Sequence, residues 1–235
     1  MPPFAGKKIL ITGASRGIGL GAARLLLAQG AEVMGSGKDA RRLEATAGEL
    51  NTLGRFHPVV ADFSRPAEAA AALKAAVEKT WGSLDALVNN AAIGGADKSF
   101  LEAPASDLGQ VLDVNLLAPH HLIQALLPLL EKGREPRVVN VSSGSGQFQT
   151  LQSFRNDPAY CLSKYSLNGL TILWAHTLKG KVAVNTMHPG WIRSDMGGPN
   201  APDDLATGGQ RILDVLAKPF SETGKFWYGK EEMAW

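Results

Sequence analysis

Short apolar runs alternate along this chain with longer stretches of helical periodicity. Residues 8–11 (Lys-Ile-Leu-Ile) form the first run, apolar on successive positions as expected of a strand buried on both faces. They lead into a glycine-rich turn at 12–19 and a helical pattern over 20–29. The unit recurs at a spacing of about 25 residues. Further strands are predicted at 31–36, 56–60, 84–88, 137–141, 182–187 and 224–228, and helices at 39–53, 66–81, 105–130, 158–178 and 203–217. Such alternation predicts a single-domain, doubly wound α/β Rossmann fold over 1–235, with a mostly parallel seven-stranded sheet flanked by helices. Local signals sharpen the boundaries. Ser64 is expected to cap the helix entered at Pro66, Pro119 and Pro128 to bend the 105–130 helix, and Asp157-Pro158 to start the next one. Stretches 144–157 and 191–202 read as loops.

In sheets of this kind ligands bind beyond the C-terminal strand ends. Thr12-Gly13-Ala14-Ser15-Arg16-Gly17-Ile18-Gly19 stands at the first such end, where glycines let the backbone approach a pyrophosphate and a helix N-terminus offers free N–H groups. Lys38 follows the second strand, where an acid would bind the ribose hydroxyl of NAD; with Arg16 it points to the 2′-phosphate of NADP. Asp62 and Asn89 end the third and fourth strands, and Ser143 follows the fifth. Asn115 interrupts an apolar helical stripe, as a hydrogen-bonded structural group or a site group. Tyr160 and Lys164, four apart on a predicted helix, point the same way, and the ammonium is expected to pull the phenol pKa down.

The net charge of +2, without a basic block, predicts no nucleic-acid partner. The single cysteine, Cys161, rules out an internal disulfide framework, and the five histidines lack ligand spacing, so no metal site is expected. Cys161 reads as a small buried residue. No apolar run reaches membrane-spanning length and the start of the chain reads directly into a strand, which together predict a cytoplasmic protein.

The ordered set Thr12-Gly13-x-x-x-Gly17-x-Gly19, Asp62, Asn89-Asn90-Ala91, Asn115, Ser143, Tyr160-x-x-x-Lys164 and Pro189-Gly190-x-Ile192-x-Ser194 resembles the short-chain dehydrogenase/reductase (SDR) family over nearly the whole chain. Its last stretch, 188–196, is similar to small carbonyl-reductase-type members. The resemblance implies hydride transfer between NADP(H) and a ketone or aldehyde. It makes Tyr160 the proton donor and Ser143 the group that orients the carbonyl. Lys164 would tune the phenol and hold the nicotinamide ribose, and Asn115 would hold a relay water. The glycine loop with Ser15, Arg16 and Ile18, together with Lys38, Asp62, Asn89, Ala91, Pro189, Gly190, Ile192 and Ser194, would hold the cofactor. Family members commonly pair through their long helices, so a homodimer or homotetramer is implied.

Three departures stand out. Ala92 replaces the glycine that usually follows Asn-Asn-Ala, Ser194 replaces a threonine, and the interval from Ser143 to Tyr160 is longer than the family pattern. The extra residues lie in 144–157, where Phe148, Leu151 and Phe154, with Trp191 from the later loop, either line an apolar substrate pocket or simply pack. Two rivals share these residues: an alcohol dehydrogenase working oxidatively, and a non-catalytic NADP-binding sensor, which would be expected to have lost Tyr160 or Lys164.

Overall fold

The computed structural model describes residues 3–96, 98–153 and 157–235. Among these residues eight strands join one sheet: β1 Lys8–Ile11, β2 Glu32–Gly37, β3 Phe56–Val60, β4 Ala86–Asn89, β5 Arg137–Val141, β6 Ala183–Met187, β7 Phe226–Tyr228 and β8 Glu231–Met233. Their spatial order is β3-β2-β1-β4-β5-β6-β7-β8. All neighbours run parallel except the final β7–β8 pair. That hairpin supplies the eighth strand, one more than the seven expected. Its exposed Glu231 and Glu232 gave it no apolar run to be recognised by.

Alternation along each strand divides the core into two layers. Ile9 and Ile11 face helices α1 (Gly17–Ala28), α2 (Ala40–Leu50) and α8 (Leu205–Leu216), while Leu10 faces α3 (Pro66–Thr80) and α5 (Ala118–Leu130). Helices α1 and α8 meet almost backbone to backbone, since a Cβ on Gly21 would collide with the Leu205 carbonyl. The order reverses between β1 and β4, so a crevice opens at the C-terminal ends of these two strands.

Four local expectations are corrected. Ser64 does not cap α3: its N–H and hydroxyl both donate to Asp62 Oδ1, and Arg65 stands at the cap position. The 105–130 segment is helical from end to end as expected, but its irregularity is a π-helical turn over Asp113–Leu117, between α4 (Ala105–Leu112) and α5, rather than a break at Pro119. Pro119 sits in the first turn of α5, where a missing N–H is harmless. The described part of stretch 144–157 is not all loop: it holds a 3₁₀ turn at Gly144–Gly146 and α6 over Phe148–Ser153. The last long helix is capped by Asp204 rather than starting at 203. Helix α7 (Pro158–Thr177) starts where the sequence placed it, with Asp157 accepting from the Tyr160 N–H.

The glycine packing yields a paired prediction. Gly21→Ala should lower stability by about 2 kcal/mol, as overpacking against a fixed backbone does. Gly48→Ala, inside α2 with nothing within 4 Å of the new methyl, should raise it by about 0.5 kcal/mol. Urea denaturation of both variants provides the check.

Candidate active site

Strand β5 and helix α7 are locked together by buried polar groups. Asn89 donates to Asn140 Oδ1 (2.8 Å), and Asn140 donates to the Thr171 hydroxyl (2.9 Å). Asn168 donates to the Gly146 carbonyl (3.1 Å), and the Ser142 hydroxyl donates to the Lys164 carbonyl (3.2 Å). A Cβ on Gly146 would lie 2.7 Å from the Lys164 carbonyl carbon, so glycine is required where the 3₁₀ turn meets α7. Although Asn89 Oδ1 is left without a partner, directional bonds of this sort fix one register where apolar contact would allow several.

The register brings three chemical groups together. Ser143, just beyond β5, is hydrogen-bonded through its hydroxyl to the Tyr160 hydroxyl. Ser143 Oγ also accepts from the Ser145 N–H (3.1 Å). Lys164 is 2 % exposed; its Nζ donates to the Val141 carbonyl (2.8 Å) and lies 5.5 Å from the centre of the Tyr160 ring. Burial shapes both ionisations. It pulls Lys164 down to about 7. It pushes Tyr160 up to about 12, with the Ser143 bond opposing the rise and the Asp157 carboxylate adding to it. The expected drop in the phenol pKa is therefore overturned in the cofactor-free protein: loss of water around the hydroxyl outweighs a lysine that is itself easily discharged.

Asn115 lies in the π turn and is buried. Its Oδ1 accepts from the Ile93 N–H, and its Nδ2 donates to the Ile93 carbonyl and to Ser163 Oγ (2.9, 2.9 and 3.0 Å). Ser163 in turn donates to the Tyr160 carbonyl (2.7 Å). The Asn115 side chain thus braces the strand-end loop against the first turn of α7. Asp157 does the same from the other side. Both its oxygens accept from the Gly95 N–H at 3.0 Å, and its own backbone is left-handed (φ 50°). A Cβ on Gly95 would sit 2.7 Å from Asp157, so the glycine need beyond β4 falls three residues after Ala92. The sequence showed Asp157 only as a cap, because its second partner is far away in the chain.

On the cofactor side, a Cβ on Gly13 (φ +68°) would lie 3.0 Å from Ala91 Cα, and one on Gly19 would collide with the Gly13 carbonyl. A Cβ on Gly17 would meet nothing within 4 Å, and α1 has no side-chain cap. A tight, open loop before uncapped N–H groups fits a dinucleotide phosphate. Lys38 is exposed at the end of β2 and close enough to Asp62 to help hold that carboxyl below its ordinary range, behind the two Ser64 hydrogen bonds. Arg16 is engaged with Asp195 in an exposed ion pair. Ser15 gives its carbonyl to the Thr46 hydroxyl. Asn89 is buried, and its side chain donates across the sheet to Asn140. It is Asn90 that ties β4 to the glycine loop, donating to the Thr12 and Gly13 carbonyls.

Beyond β6, Pro189 and Gly190 turn the chain. Ile192 is buried, and Ser194 bonds within its own turn, to the Ile192 carbonyl and the Gly197 N–H. Phe148 and Trp191 are largely exposed, Leu151 is half-buried, and Phe154 lies outside the described residues. Cys161 is buried, and burial pushes its thiol up to about 11. Among the described residues no cluster of His, Cys, Asp and Glu is arranged to hold a metal ion, and no helix is long and apolar enough to cross a membrane.

The fold and this constellation define a dinucleotide-type α/β protein with a serine–tyrosine–lysine site. The family profile described as short chain dehydrogenase matches residues 7–204, and the chain belongs to that family. It is 34% identical over 222 residues to the oxidoreductase UcpA of Escherichia coli (strain K12), covering 93% of this chain and 81% of the relative. The NADPH-bound carbonyl reductase from chicken fatty liver superposes with a TM-score of 0.89 at 28% identity, covering 98% of this chain and all 100% of the other. The carbonyl reductase Sniffer of D. melanogaster gives 0.86 at 29% identity with the same coverage.

Lys164 yields a prediction. Its folded pKa lies below its unfolded value, so the unfolded chain binds the extra proton between about pH 7 and 10.5, and stability rises with pH across that window. Lys164→Met should abolish that rise and stabilise the cofactor-free protein at pH 6 by roughly 2–3 kcal/mol relative to its effect at pH 9. Chemical denaturation at the two pH values measures it.

Proposed function

We propose that the protein is an NADPH-dependent oxidoreductase of the carbonyl-reductase type, reducing a ketone or aldehyde to an alcohol. The observation that carries this reading is the Ser143–Tyr160 hydroxyl pair set over the buried Lys164. When bound, NADPH supplies the hydride that the carbonyl carbon takes up. As negative charge grows on the carbonyl oxygen, Tyr160 passes its proton to it and Ser143 donates a hydrogen bond. A phenol held near 12 is fully protonated at neutral pH, which suits the reductive direction better than the oxidative one. Lys164 in its charged form stabilises the phenolate left behind, and its position near half-charge lets it take part in restoring the proton. Asn115 and Asp157 keep the first turn of α7 in place while this happens.

Lys38 and Arg16 are the groups assigned to the 2′-phosphate, and the NADPH found in the chicken carbonyl reductase supports that choice. Glycine loop, Ala91, Asp62, Pro189, Gly190, Ile192 and Ser194 complete the cofactor cleft in this reading. Phe148, Leu151 and Trp191 surround the substrate side. Leu117, Ile172 and Leu173, exposed and apolar, form the face for a homodimer or homotetramer.

Tyr160→Phe should lower kcat for NADPH-dependent carbonyl reduction by about 10²–10⁴-fold. NADPH binding should persist, and retained turnover would refute the assignment. Lys38→Asp should weaken NADPH relative to NADH by at least about tenfold. Kd values from fluorescence titration read the change, and an unaltered preference would place the 2′-phosphate elsewhere.

A further inference from the structure

Residues 190–203 leave the sheet at the end of β6 and return to the start of α8, and one side chain touches both ends of this excursion. Arg211, on α8, donates through Nη1 to the Pro189 carbonyl (2.7 Å) and to the Asp203 carboxylate (2.6 Å). The pair is largely shielded, with side chains 17% and 27% exposed. Asp203 closes the neck further through its backbone: its N–H donates to the Trp191 carbonyl (3.3 Å), and its carbonyl accepts from the Arg193 N–H (2.8 Å). The Arg211 guanidinium lies 4.4 Å from the Tyr228 ring centre, and Tyr228 stacks on His188, the residue preceding the turn. Gly190 (φ +96°) is compelled here, because a Cβ would collide with Arg211. Inside the neck, Ile192 and Ile18 of the glycine loop both come within 3.3 Å of where a Gly208 Cβ would stand, so both pack on the same spot of α8.

We propose that Arg211 is a positioning residue for the nicotinamide half of the cleft: by clasping Pro189 and Asp203 it fixes the neck of the 190–203 excursion, and with it Ile192 and Ser194. The proposal rests on the dinucleotide reading above. One guanidinium nitrogen serves both the carbonyl and the carboxylate while the planar face covers the Tyr228 ring, and lysine could copy the first contact but not the second. Removing one partner strands the other charge in a shielded place, so the neck loosens rather than finding a second closure.

The test uses full-length Arg211→Met, Asp203→Asn and Arg211→Lys. Two ligands are titrated by calorimetry: NADPH, and adenosine 2′,5′-bisphosphate, which lacks the nicotinamide half. Tryptic cleavage after Arg193 is timed on the cofactor-free protein. Arg211→Met and Asp203→Asn should weaken NADPH about tenfold, leave the bisphosphate within about twofold, and speed cleavage at Arg193; Arg211→Lys should recover part of each. Asp203→Asn carries the test if Arg211→Met fails to fold. Equal losses for both ligands, no loss for either, or unchanged cleavage would overturn the role of Arg211. A wild-type protein that binds neither ligand would instead overturn the dinucleotide reading, and this proposal with it.

Discussion

An ammonium withdrawn from water must find an acceptor, and Lys164 finds one in the Val141 carbonyl at the last residue of β5. That bond sets the height of α7 against the sheet. Ser142 returns a bond to the backbone of Lys164, and Gly146 admits the helix at the same level. Once β5 and α7 are held this way, Ser143 and Tyr160 must meet, because one follows the strand directly and the other lies one helical turn before the lysine. The price is electrostatic. Burial drives the lysine and tyrosine pKa values apart, towards a lysine easily discharged and a phenol firmly protonated.

The rest of the cleft is held by interactions of differing strength. Arg16 and Asp195 join the glycine loop to the 190–203 excursion, but both are exposed, and an ion pair in water of that kind contributes little. Arg211 and Asp203 join the two ends of the same excursion in a shielded setting. The outer pair is thus free to exchange partners, while the inner pair is structural. The glycine loop itself is kept by close packing: Asn90 bonds to its carbonyls and Gly19 lies against Gly13.

The sheet was legible because each central strand is a short apolar run between turn residues, and periodicity suffices for that. The start of α7 was legible because Asp157 and Pro158 act within four residues of each other. Less visible was whatever depends on a distant partner. The π turn that carries Asn115 follows from its bonds to Ile93 and Ser163, neither adjacent in sequence. The bond between Asn89 and Asn140 joins residues 51 apart in the chain. The hairpin strand β8 is polar and pairs only at the sheet edge. The tyrosine pKa was misjudged in sign, since counting charges along a helix omits the solvent that folding removes.

The central claim is that the fold buries Lys164 deeply enough to make it titrate near neutrality. The most direct measurement is a ¹⁵N NMR pH titration of the lysine side chains in the cofactor-free protein, with Lys164→Met identifying the resonance. A midpoint at about 7 is the predicted result. A midpoint near the ordinary lysine value of about 10.4 would contradict it.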